Sequence, residues 1–95
     1  MNREFKQGDI VQHFKRELNA EGTQYLYKII GEAEHTETGE KLMVYQALYG
    51  DQKIYARPVT MFMEETDQEK YPQIRQKYRF ELYCGLSLIQ NCFFG

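Results

Sequence analysis

A chain of 95 residues and 11.4 kDa has the length of one small domain, which excludes an enzyme built from separate catalytic and cofactor domains. Hydrophobic residues make up 42% and aromatic residues 15%, with eight Tyr and six Phe, enough for a core and too apolar for a disordered chain. Twelve Lys and Arg against fourteen Asp and Glu leave a net charge of −2, so any nucleic-acid site has to be a local patch.

The run Gly8-Asp9-Ile10-Val11-Gln12-His13-Phe14 predicts a first strand that leaves a glycine turn. A polar, glycine-bearing connection at 18–23 leads to a second strand at 25–30. It sets Tyr25, Tyr27 and Ile29 on one face and Leu26, Lys28 and Ile30 on the other. Gly31 predicts a bulge or a close backbone approach rather than a stop. His35-Thr36-Glu37-Thr38-Gly39-Glu40 follows as a hairpin turn, with Gly39 supplying positive φ, and 42–49 is apolar on both alternating sets, as in a central strand.

Gly50-Asp51 predicts a tight turn into a fourth strand at 53–57, with Ile54 and Ala56 on one face and Lys53, Tyr55 and Arg57 on the other, before Pro58 ends its ladder. Residues 59–63 fit a one-turn helix or a short fifth strand, and a turn followed by a strand is the preferred reading. Pro72 disfavours a helix begun at the Thr66-Asp67-Gln68-Glu69 capping pattern. The expected helix therefore starts at Pro72 and runs to about Tyr78. The expected fold is mainly β: a small SH3-like, partly open antiparallel barrel or meander with one short C-terminal helix, covering residues 1–81.

Residues 82–95 form an apolar, uncharged extension, expected to add an edge strand or cover the core, or to make a homodimer contact. The N-terminal residues lack the apolar core of a signal peptide and no stretch approaches a membrane span, so a cytoplasmic protein without membrane partners is expected. The two Cys, Cys84 and Cys92, both lie in the extension and cannot staple the domain.

Several of these segments together resemble the bacterial domain-of-unknown-function family 1653. They are Gly8-Asp9-Ile10-Val11-Gln12-His13-Phe14-Lys15, Tyr25-Leu26-Tyr27-Lys28-Ile29, His35-Thr36-Glu37-Thr38-Gly39-Glu40, Val44-Tyr45-Gln46-Ala47-Leu48-Tyr49 and Ala56-Arg57-Pro58-Val59-Thr60-Met61-Phe62. Similar chains also carry Lys70-Tyr71-Pro72 and Gln76-x-Tyr78-Arg79-Phe80-Glu81, and end near there, whereas this one continues through the apolar extension. The resemblance implies a stand-alone bacterial cytosolic domain and brings no established activity, ligand or partner.

Nothing in the residues demands one chemistry or a cofactor. Ser87 is the sole serine and lacks a G-x-S-x-G setting, and neither phosphate-loop pattern occurs. His35-Thr36-Glu37 matches half of a zinc-deaminase signature, but the P-C-x-x-C half is absent. Two readings remain. The first is a binding or adaptor domain for a peptide, a single-stranded nucleic acid or a small anion, using Arg57, Tyr45, Tyr55, His13 and His35, with Lys15 at the rim. Aromatic rings interleaved with cations can stack bases or clamp a phosphate or carboxylate. The alternative is a metal-binding protein or metal-dependent enzyme using His13, His35 and Glu37.

Overall fold

The computed structural model describes residues 4–18 and 21–83, and its elements form one antiparallel sheet. Strands β1 (Ile10–His13), β2 (Leu26–Glu34), β3 (Lys41–Ala47) and β4 (Ile54–Pro58) make a meander, and β5 (Phe80–Leu82) returns beside β1. The spatial order is β4-β3-β2-β1-β5. The fold is mainly β with one short helix, α1 (Val59–Phe62), and a 3-10 turn follows β1 at Phe14–Glu17.

Alternation decides the two faces. Register pairs Val11 with Tyr27, Tyr27 with Ala47, Ile29 with Tyr45, and Tyr45 with Tyr55. Met43 pairs with Arg57 and His13 with Phe80, so all of these side chains share one face. Gly31, with φ 153, sits where the β2–β3 register shifts, and this bulge lets β2 run on to Glu34 with its pairing to β3 intact. The tight turn also forms, since the Gln52 amide donates to the Tyr49 carbonyl across Gly50 and Asp51.

The shared face is strongly curved. Phe80 on β5 lies three strand spacings from β3, about 14 Å in a flat sheet. Its ring nevertheless sits 5.5 Å from that of Tyr45, so the sheet curls around its own aromatic contents. Phe62 of α1 closes the bottom, stacked on Phe80 at 4.1 Å and in contact with Tyr45 at 5.1 Å. Burying such rings contributes roughly 2–3 kcal/mol each, enough to hold the curl without closure. Among the described residues β4 and β5 do not pair, so the sheet is open rather than closed into a barrel.

The short helix is at Val59–Phe62, where a turn and strand was preferred, and 72–78 is not helical. Side chains from elsewhere take the backbone groups that a helix there would pair internally. Glu17 accepts the amides of Arg75 and Gln76 at 2.9 and 2.6 Å. The buried Gln76 side chain donates to the carbonyls of Gln12, Tyr78 and Arg79, and accepts from the Gln12 side chain. The segment thereby packs over the opposite face of the sheet, where Gln12 pairs with the buried Leu26. The extension contributes Leu82 to β5, and what was expected of its remainder falls on residues 84–95, outside those described.

Candidate functional site

The open end of the curled sheet holds a cleft of about 270 Å³ lined by His13, Lys15, Tyr25, Tyr27, Tyr45, Tyr55, Arg57 and Phe80. Period-two alternation and register bring most of these together. Tyr45 and Tyr55 are direct cross-strand partners with rings 5.7 Å apart, and Arg57 follows Tyr55 on the same face of β4. Tyr27 stands edge-on to both, at 5.4 and 6.4 Å. Phe80 forms the floor, in contact with His13, Tyr27 and Tyr45.

His13 ends β1 and caps the turn behind it, its Nδ1 accepting the Lys15 amide at 3.1 Å. A neutral ring in that bond carries its proton on Nε2 and presents a donor there. Burial, reinforced by the positive charges of Lys15, Arg57 and Arg79, lowers its pKa from 6.5 to about 4, so the ring is neutral near pH 7. Burial likewise raises the phenols of Tyr27 and Tyr45. Tyr27 is further held neutral by its hydroxyl contact with Tyr49 at 2.6 Å, whereas Arg57, which bonds to Tyr45, pulls the Tyr45 phenol the other way.

The charge of the cleft is therefore set by Lys15 and Arg57. None of its lining residues is acidic, in a chain whose net charge is −2. Among the described residues the ion pair is Arg79 with Glu64 at 3.3 Å, which neutralises the third nearby cation and leaves Arg57 without a carboxylate. Tyr55 is 42% exposed, so one ring of the cluster is open to a ligand. Tyr25 has φ 66, a left-handed conformation that a bulky residue seldom adopts and that costs about 1–2 kcal/mol. Its carbonyl receives the His13 amide, which ties the strained residue to the cleft wall.

Five sequence-predicted residues meet this geometry unequally. Arg57, Tyr45, Tyr55 and His13 converge, with Lys15 beside them. His35 does not: it lies past the far end of β2, where its Nδ1 accepts the Glu37 and Thr38 amides and organises the hairpin turn. The length of β2, about 30 Å of extended chain, separates it from the level of His13. Among the described residues no three His, Cys, Asp or Glu side chains are grouped to hold a metal ion. Lys53 precedes β4 and does not line the cleft, whereas Tyr25, Tyr27 and Phe80 do. Tyr25 and Tyr27 were legible as one strand face; Phe80, which pairs with His13 from near the other end of the sequence, carried no local signal.

The chain is thus a small mainly-β domain whose curled sheet encloses an aromatic, cation-lined cleft. It belongs to the family described as Protein of unknown function (DUF1653), whose model matches residues 9–82, from the turn before β1 through the last residue of β5. No curated protein and no solved structure matches it. Among the described residues no helix is long and apolar enough to cross a membrane.

Proposed function

We propose that this domain is a binding module for a small anionic ligand held in the cleft at the open end of the sheet. The observation that carries the reading is the pairing of Lys15 and Arg57 with no acidic lining residue, in a protein of net negative charge. Cations that have no carboxylate partner among the described residues, set beside low-dielectric aromatic walls, attract an anion more strongly than the same charges on open surface. The two cations also exclude a different occupant. Clustered tyrosines suit a quaternary ammonium group, but two neighbouring cations repel it.

A cleft of this size suits a compact ligand better than a peptide laid along the β4 edge, and of the ligands such a site can take, a small anion fits its charge and volume best. Calorimetric titration with inorganic phosphate and sulfate tests the reading on the wild type and on Arg57→Ala. The expected result is saturable binding that weakens about tenfold in the variant, the loss of one charge-assisted contact, with the thermal unfolding midpoint nearly unchanged. Absence of binding, or equal binding by Arg57→Ala, would overturn it.

A further inference from the structure

Resting on that anion-binding reading, we propose that the cleft takes a single nucleotide unit, with its phosphomonoester between Lys15 and Arg57 and its base against the tyrosine walls. Charge points to the monoester. With His13 neutral and Arg79 held by Glu64, Lys15 and Arg57 bring a local charge of +2. A phosphomonoester carries about −1.5 to −2 near neutral pH, which balances it. A carboxylate or an internal phosphodiester carries a single charge and leaves the site half balanced.

The donors agree with the charge. The guanidinium of Arg57 offers a two-pronged face, Lys15 an ammonium, and His13 the Nε2–H left by its bond to the Lys15 amide. Terminal phosphate oxygens accept from all three kinds of donor, and a phosphomonoester has three such oxygens. The rings supply the second half of the ligand. Tyr55 is exposed beside Tyr45, and the strained Tyr25 faces the same cleft from the turn that precedes β2, so a planar base can stack without demanding one sequence. A volume of about 270 Å³ lies at the small end of ligand pockets, which restricts the occupant to one ring system and one phosphate. A second concavity, lined by Glu4 and Glu32 over Phe5, Met43, Val59 and Met63, has the opposite charge, which repels a phosphate.

The test compares uridine and adenosine 5′-monophosphates with their nucleosides and with inorganic phosphate, by calorimetry on the wild type, Arg57→Ala, Lys15→Gln and Tyr55→Ala. Both monophosphates are expected to bind at least about tenfold tighter than phosphate or nucleoside alone. Arg57→Ala and Lys15→Gln should each weaken nucleotide and phosphate together, whereas Tyr55→Ala should weaken the nucleotide several-fold and leave phosphate unchanged. Phosphate binding as tightly as the monophosphates overturns the nucleotide inference and leaves the anion reading standing. Nucleosides binding as tightly as nucleotides without phosphate binding, or no binding by any probe, overturns both. A 5′-phosphorylated tetranucleotide distinguishes the sources. Tighter binding than the free mononucleotide, lost with a 5′-hydroxyl, assigns a strand end; equal or weaker binding assigns the free nucleotide, and either result supports the nucleotide unit.

Discussion

The cleft end and the hairpin end of the sheet each carry one of the molecule's two histidines, and each ring accepts backbone amides at Nδ1. His13 is walled in by Phe14, Tyr25 and Phe80 and lies in the field of Lys15 and Arg57. His35 sits in a turn with the exposed Glu34, Glu37 and Glu40 around it. The same local bond thus serves a cleft wall at one end and only a turn at the other. What separates them is the tertiary surroundings, aromatic and cationic in one case and solvated and acidic in the other.

The largest contrast between the two ends is expected in stability. Phe80→Ala removes a nearly fully buried ring stacked on Phe62 and should cost about 3–5 kcal/mol in denaturant unfolding. His35→Ala, which removes only turn hydrogen bonds at the exposed end, should cost under about 1 kcal/mol. Similar losses for the two variants would break the comparison.

An intermediate effect is expected from protonation of His13. The ring is harder to protonate in the folded chain, at about 4, than in the unfolded chain, near 6.5. As pH falls below about 6.5 the unfolded state takes up the proton first. His13 therefore removes stability progressively down to about pH 4 and adds no further loss below it, the total being about 1–2 kcal/mol for a partly solvated ring. His13→Asn keeps an acceptor for the Lys15 amide and should flatten that part of the pH profile. A profile unchanged by the substitution would show that the ring is as solvated as a turn histidine.

The smallest effect concerns the strained wall. Tyr25→Asn suits the left-handed backbone better and should shift stability by no more than about 1 kcal/mol, relief of strain offsetting lost ring contacts, while weakening nucleotide binding measurably. Unaltered binding would remove Tyr25 from the site.

The same division between local and distant causes explains what could be read from the residues. β1 to β4, the bulge at Gly31 and the turn at Gly50-Asp51 follow from alternation and glycine chemistry, and they place Tyr45, Tyr55 and Arg57 on one face. The absence of a helix at 72–78 does not follow from them. It depends on Glu17 and Gln12, both far away in the sequence, capturing the segment's backbone and the Gln76 side chain. Phe80 is equally non-local, and so is the curl it induces. His35 entered the candidate site because its residue type suits one; only the length of β2 shows that it lies elsewhere.

The most direct test of the account follows the ring signals of both histidines by NMR while inorganic phosphate is added at constant pH 7. The account predicts a saturable shift of the His13 ring, as an anion settles beside its Nε2–H, with the His35 ring unmoved. Equal movement of both rings, or movement of His35 alone, would contradict it.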